Sequence, residues 1–393
     1  MKDRLRDYPF EPFRGALPDE LLRMVVTEPV SRVRLPDGRP CWLVLGYESV
    51  CTVLSDPRFA RNGSGPSGAV VGCPSSAHGG PRTLSADGPD HVSLRRAASQ
   101  AFSPRVIESC RPLVQKITDR LLDAMAEQSR PADLISTLTA PLPVLVICEI
   151  LGVPAASEAR FAAWATDIMS VTAYDSSAGA QAQSALDGYF ADLVAAKRAD
   201  PGDDLVSAWI ATQAETGLTD PEVADLALTV LRGGREINST GAGLRTLFEH
   251  PHQLAALRAD PGRLPTAVNE ILRYSVHSSM SRILTATETT ELDGVRITAG
   301  DTVMALPAAA NRDPRYFADP DVFDIDRTPN PHLSQGHGPH FCLGAALGRM
   351  EIEVAIGTLL RRFPTLAPAV PISDIPWRNE RFNAGMAEFP VTW

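Results

Sequence analysis

The ten residues from Gln335 to Gly344 read Q-G-H-G-P-H-F-C-L-G, a cysteine set among histidines and glycines. Glycines 336, 338 and 344 permit a tight, close-approach backbone around Cys342. An amphipathic helical pattern, A-A-L-G-R-M-E-I-E-V-A-I, follows directly. The last helix is therefore expected to run from about Cys342 to Phe363, with the thiol at its start. A helix N-terminus stabilises a thiolate, and the thiolate is the form of cysteine that ligates metal. One thiolate supported by backbone amides suits the axial position of a haem iron. Two other readings stand beside it. His332, His337, His340 and Cys342 together are candidate zinc ligands, although their spacing fits no common zinc pattern. The third reading is an inert buried cysteine in a glycine-rich loop.

Other residues carry chemistry only in combination. Glu270 and Arg273 are i,i+3 neighbours on one helix face, and as a surface pair they are worth less than about 1 kcal/mol. His91 and Arg95 are i,i+4, so one helix presents both to the same ligand or to solvent. The segment L-R-G-G-R-E-I-N-S-T-G, from Leu231 to Gly241, places Gly233-Gly234 inside a helical pattern, where each glycine costs about 1 kcal/mol relative to alanine. A helix that accepts this cost is expected to have something pressed against its backbone.

The elements that position these groups follow from patterning. Val30 to Leu35 and Cys41 to Leu45 flank P-D-G-R-P and read as a hairpin. Residues 62 to 89 are rich in Gly, Ser and Pro and read as a long loop, a length that in compact domains is functional or disordered. From His91 the pattern is helical for most of 180 residues, punctuated by prolines. Asp220 and Pro221 read as an N-cap and first helical position. A helix from there to Pro251 would span about 45 Å. After Ser275 come short strands and turns, including L-D-G-V-R-I-T-A-G-D-T-V, and a strand-like tail ends at Trp393. The fold class is mainly α with a smaller β portion, and no internal repeat is present.

Composition bounds the function. The 393 residues are 44% hydrophobic and carry a formal charge of −10, against a nucleic-acid binder built on phosphate contacts. The six cysteines include no C-x-x-C pair, so neither a zinc ribbon nor a thioredoxin-like site is expected, and free thiols are expected instead of three disulfides. The first ten residues lack the apolar core of a signal peptide. The most apolar window, Leu142 to Gly152, is interrupted by Glu149 and is too short to span a bilayer. A cytoplasmic protein with no membrane association is the expectation.

Four segments in order resemble the cytochrome P-450 superfamily. Gln335–Gly344 is similar to its haem-binding loop F-G-x-G-x-H-x-C-x-G, and E-I-L-R at 270–273 to its E-x-x-R. A-D-G-P-D-H-V-S-L-R-R at 86–96 resembles the bacterial haem-propionate helix. A-N-R-D-P-R-Y-F-A-D-P-D-V-F-D-I-D-R at 310–327 resembles the segment that completes the E-x-x-R network. The resemblance implies a helical fold with haem b between the long central helix and the cysteine loop. It implies Cys342 as the metal ligand, and Gln335, Gly336 and Gly344 around it. His91, Arg95, Arg282 and His340 would meet the two haem propionates. Glu270, Arg273 and Arg327 would form a buried network beneath the cysteine loop, the carboxylate satisfied between two guanidiniums.

What the resemblance implies about function is a monooxygenase or oxidase that activates O2 on a small organic substrate, in secondary metabolism. All 393 residues would form one haem domain with no fused reductase, so electrons would come from a ferredoxin and ferredoxin reductase. The protein would act as a monomer. Arg349, Arg361 and Arg362 would give the cysteine side local positive charge. Two positions depart from the family pattern. Glu236 matches the acid that helps deliver protons during oxygen activation, but the following alcohol position holds Ile237, which cannot hydrogen-bond. Ser239 and Thr240 offer a displaced relay. Gln335 stands where the family has phenylalanine, and adds hydrogen-bonding capacity near the thiolate. Arg235 engages substrate or points to solvent, and Arg232 is placed to pair with Glu236. The substrate pocket is expected to include Gly233, Arg235, Met280 and Phe382, within the wider segments 62–86, 162–187, 232–240, 278–283 and 382–386.

Two alternatives follow from these departures. A weakened proton relay favours oxidative C–C or C–N coupling or ring closure, without oxygen insertion. I-N-S-T-G and S-D-I-P-W-R resemble actinobacterial enzymes that couple aromatic cyclodipeptides. The other alternative is a non-catalytic haem or recruitment module, against which the intact cysteine loop argues.

Overall fold

Turn residues settle the first local structure in this computed structural model, which describes residues 5–61, 84, 86–154, 176–233, 238–276, 281, 283–378 and 385–393. Gly38, at φ +85°, lets P-D-G-R-P reverse the chain, and Val30–Arg34 pairs antiparallel with Pro40–Val44. Asp293 and Gly294, at φ +46° and +75°, close a second hairpin between Thr290–Leu292 and Val295–Ile297. Two successive positive φ values are what a two-residue primed turn requires, and Asp-Gly supplies them.

The chain divides into two compact units. The first comprises Met1–Ser75, Ala242–Cys342 and Pro376–Ala387. It contains a six-stranded sheet in the order Arg6–Asp7, Val30–Arg34, Pro40–Val44, Thr302–Ala305, Ile283–Ala286 and Phe59–Ala60. Alternate residues of these strands feed two apolar clusters. Leu43 and Met304 pack with Leu21 and Met24 of the helix Asp19–Thr27. Val44 and Val303 pack with Val50 and Val53 of the helix Tyr47–Ser55. This period-two division of side chains between opposite faces is the expected consequence of the pleat. The helix Leu264–Tyr274 belongs to the same unit and buries Leu264, Ala267, Val268, Ile271 and Leu272 along one stripe.

The second unit comprises Ser76–Gly241, Leu343–Ile375 and Glu388–Trp393, and is largely helical. Its long helices include Arg111–Ala126, Pro141–Leu151, Ser176–Ala199 and Ala345–Arg362. The apolar window around Glu149 is the helix Pro141–Leu151, closed by Gly152 in the left-handed conformation at φ +72°. Eight of its eleven residues are buried, so it is a core helix. Among the described residues no helix is long and apolar enough to cross a membrane. Ala367–Pro368, Pro390–Thr392 and Ala132–Asp133 form a small sheet whose strands come from distant parts of the sequence.

Two helix boundaries differ from the expectation. The helix expected to begin at Cys342 spans Ala345–Arg362, with Gly344 before it, so the thiol precedes the first turn. The helix expected to open with Asp220 as its cap spans Asp220–Gly233. Glu222 there accepts from the backbone N–H of Thr219 at 2.8 Å and from its hydroxyl at 2.9 Å. This is the reach-back half of a capping box, and it makes Thr219 the flanking residue. Residues 234–237 lie outside the described residues, and Asn238–Glu249 is helical beyond them.

Ala345–Arg362 contains one acid of note. Glu351 is 8% exposed, and burial pushes its carboxyl up to about 8. In the unfolded chain a glutamate titrates near 4.3, so between about pH 4 and pH 8 the folded state holds the extra proton and stability falls as pH rises. Glu351→Gln keeps the shape and removes the titration. The variant is expected to be less sensitive to pH, and more stable than the parent by about 2–4 kcal/mol above pH 8. Urea midpoints measured at about pH 5 and about pH 9 check this, since the variant's advantage over the parent should be small at the lower pH and full at the higher one.

Candidate active site

The cysteine loop is closed by its own backbone. Gly336 N–H donates to Leu333 O at 2.8 Å, Phe341 N–H to Gly338 O at 3.0 Å, and Cys342 N–H to Gln335 O at 2.8 Å. Gly336 and Gly338 take φ of +80° and +70°, a region that a side chain disfavours. Cys342 is exposed on this loop, and the preceding Phe341 is 39% exposed. The loop rests on the helix Tyr47–Ser55. A Cβ at Gly338 would lie 2.8 Å from Leu54 O and 2.9 Å from Ser55 Cα, and both are backbone atoms that cannot swing away. Tyr47 adds a second anchor, its hydroxyl donating to Pro331 O at 2.7 Å. Gly338→Ala is accordingly expected to destabilise the protein by about 1–3 kcal/mol. Gly188→Ala, at an exposed position of the helix Ser176–Ala199 with nothing within 4 Å of the added carbon, is expected to shift the same denaturation curve the other way.

The segment that leads into the loop is held by a buried charge network. Arg273 grips Glu270 with two donors, Nε at 2.8 Å and Nη2 at 2.7 Å, and both side chains are fully buried. Arg327 approaches Glu270 at 3.3 Å, Asp324 N–H donates to it at 2.9 Å and Asn330 Nδ2 at 3.0 Å. The remaining Arg273 donors go to the carbonyls of Asn311, Pro320 and Val322 at 2.8–3.0 Å. Arg327 likewise donates to the carbonyls of Ala318, Asp319 and Val322. The carboxylate thus has five donors, and the two guanidiniums staple residues 311–322, within the run that leads into the cysteine loop. The structure brings Glu270, Arg273 and Arg327 together as one cluster.

The remaining cysteines are poor ligands by contrast. Cys41 is buried and its thiol is pushed up to about 12 by that burial. Desolvation also holds Cys51 and Cys110 above the ordinary thiol value. Metal binding needs thiolate, so these three are bystanders. Cys41, Cys51, Cys110, Cys148 and Cys342 form no disulfide among the described residues, and Cys73 lies outside them. The zinc reading fails on geometry, because among the described residues no three His, Cys, Asp or Glu side chains form a metal-holding group. One exposed thiolate suits a metal that brings its other ligands with it, as an iron porphyrin does.

Comparison with known proteins decides the family. The profile of the family described as Cytochrome P450 matches residues 263–383, which contain both the network and the loop. Nocardicin C N-oxygenase of Nocardia uniformis subsp. tsuyamanensis is 41% identical over 395 residues, covering 99% of this chain and 98% of that protein. The chain belongs to the cytochrome P450 family. Mycinamicin IV hydroxylase/epoxidase of Micromonospora griseorubida is 39% identical over 99% of the chain and 98% of its own length. The crystal structure of cytochrome P450mel, described as having biaryl coupling reactivity, superposes with a TM-score of 0.89 at 37% identity, covering 99% of this chain and 100% of that one. This cytochrome P450 is therefore an oxidoreductase with a haem-thiolate cofactor, a small-molecule substrate, O2 and electrons from a redox partner. The reading as a non-catalytic module falls with that assignment.

The other expected site residues of this P450 are distributed as follows. His91 and Arg95 share the helix Pro89–Ala101, His91 buried at 2% exposure and Arg95 half-buried. His340 ends the 3-10 turn Gly338–His340 in the cysteine loop and is half-buried, as are Gln335, Gly336 and Gly344. Ser239 and Thr240 are buried at 5% and 7% exposure in the helix Asn238–Glu249. Gly233 is exposed at the end of its helix. Arg235, Glu236, Ile237, Met280, Arg282 and Phe382 lie outside the described residues. The expected positive patch is weaker than its arginine count, because Arg362 pairs with Asp119 and Asp123. Asn330 and Asn311 were not anticipated as site residues. Their signal in the sequence is only proximity to the matched segments, since a neutral amide announces no role by its type.

Proposed function

We propose that this cytochrome P450 is a monooxygenase of secondary metabolism with Cys342 as the axial thiolate of haem b. The observation that carries the reading is the exposed thiol on a loop closed by the Cys342–Gln335 backbone bond, entered from a segment that the Glu270–Arg273–Arg327 cluster holds. When bound, haem would supply oxygen activation, with the Cys342 thiolate as its protein ligand. The chain's own residues do the rest. His91, Arg95, Arg282 and His340 hold the two propionates, while Gln335, Gly336 and Gly344 shape the backbone around the sulfur. Glu236 receives and passes protons, and Thr240 stands in for the alcohol that Ile237 lacks. Gly233, Arg235, Met280 and Phe382 line the substrate.

All 393 residues serve as one haem domain, which takes electrons from a ferredoxin and its reductase and acts as a cytoplasmic monomer. The antibiotic-pathway names of its relatives support a secondary-metabolite substrate. Oxidative coupling is the second reading, favoured by Ile237 at the alcohol position and by the biaryl-coupling relative. Turnover under labelled dioxygen separates the two. Monooxygenation places label in the product, and a coupled product free of label overturns it.

A further inference from the structure

The carboxyl end of a helix leaves carbonyls without intrahelical partners, and each buried one must find a donor elsewhere. In the helix Leu264–Tyr274 three consecutive carbonyls find side chains. Leu272 O accepts from Ser334 Oγ, Arg273 O from Asn311 Nδ2 at 3.3 Å, and Tyr274 O from Arg312 Nη2 at 2.9 Å. Asn311 is fully buried and uses its whole amide. Its second Nδ2 hydrogen goes to Ser334 Oγ at 2.8 Å, and its Oδ1 accepts from Leu333 N–H at 2.7 Å. Leu333 and Ser334 are the two residues immediately before the loop that Gln335 O and Cys342 N–H close.

We propose that Asn311 is a positioning residue for the axial ligand. It latches the entrance of the cysteine loop to the end of the helix that carries Glu270 and Arg273. The proposal rests on Cys342 being the haem ligand. Only a neutral amide has the inventory this position demands, one acceptor for Leu333 N–H and two donors for Ser334 Oγ and Arg273 O. The charged network fixes the run 311–330 as a whole, whereas Asn311 fixes the register at which that run enters the loop. The sulfur position then depends on a short relay from Arg273 O through Asn311 and Leu333–Ser334 to Gln335 and Cys342.

The test uses the holoenzyme and two readouts, residue-resolved amide exchange and the carbon monoxide difference band of the reduced haem. Asn311→Leu fills the same space but offers no polar atom. Exchange at Leu333 and Cys342 is expected to accelerate about tenfold, and haem retention with the thiolate band to fall about tenfold. Asn311→Asp keeps the acceptor, so Leu333 should stay protected while the thiolate band still weakens. Thr118→Val removes a buried hydroxyl bond in the helix Arg111–Ala126 and should leave both readouts unchanged. If Asn311→Leu does not fold, Ser334→Ala, which removes one link, decides in its place. Wild-type exchange at Leu333 and Cys342 together with a full thiolate band, in whichever variant folds, overturns the proposal. Absence of the thiolate band from the wild-type protein would instead overturn the assignment of Cys342.

Discussion

Glu270→Ala is expected to destabilise the protein by about 3–5 kcal/mol, because it strands a buried guanidinium. That is a large part of the roughly 5–15 kcal/mol that holds a native protein together. The loss follows from the count of partners. Glu270 is the common acceptor for Arg273, Arg327, Asn330 and the Asp324 amide. With it gone, Arg273 keeps its carbonyl partners and its charge has no counter-ion. Arg273→Lys should fail almost as badly as Arg273→Ala, since an ammonium lacks the planar fork that reaches Glu270 and three carbonyls at once. Arg263→Ala offers the contrast. It breaks exposed pairs to Asp260 and Asp326, and should cost less than about 1 kcal/mol. Thermal unfolding of the four variant holoenzymes, read with haem content, checks the ordering. Equal costs at Arg263 and Arg273 would show that the network carries no special weight.

Cys342→Ser is expected to separate chemistry from folding. Serine preserves the backbone bond from residue 342 to Gln335 O and nearly preserves volume. In the haem-free protein an exposed substitution of this kind should change stability by no more than about 0.5 kcal/mol. The thiolate band and product formation should nevertheless disappear entirely, because an alcohol does not ionise to a comparable ligand near neutral pH. The same substitution at Cys41, buried among apolar side chains, should do the reverse. It should lower stability by burying a hydroxyl while leaving the haem spectrum intact.

The parts of the fold that could be read from sequence are those written in local chemistry. P-D-G and L-D-G announce their hairpins because positive φ is cheap only for a few residue types. E-I-L-R and the cysteine loop are visible as motifs because charge and sulfur are rare enough to notice. The start of the last helix lies three residues later than expected because periodicity does not show which carbonyl accepts the first intrahelical bond. That carbonyl is Gly344 O, which takes the Gly348 N–H at 2.9 Å, so the helix begins at Ala345. Thr219 was overlooked as a cap because Asp220-Pro221 carries a stronger composition signal than the Glu222 reach-back that satisfies the Thr219 amide. Asn311 and Ser334 were invisible for a different reason. Their role exists only where a helix end and a loop entrance from distant parts of the chain share donors. Pairing of Ala132–Asp133 with Pro390–Thr392 is non-local in the same way.

The central claim is that Cys342, on a loop entered from a segment held by a buried carboxylate–guanidinium cluster, is the thiolate ligand of a haem. The carbon monoxide difference spectrum of the reduced, purified protein tests it most directly. The account predicts the band of a thiolate-ligated haem in the parent protein and its complete loss in Cys342→Ser. A parent protein that binds haem but shows the band of a nitrogen-ligated iron, or a Cys342→Ser variant that retains the thiolate band, would contradict it.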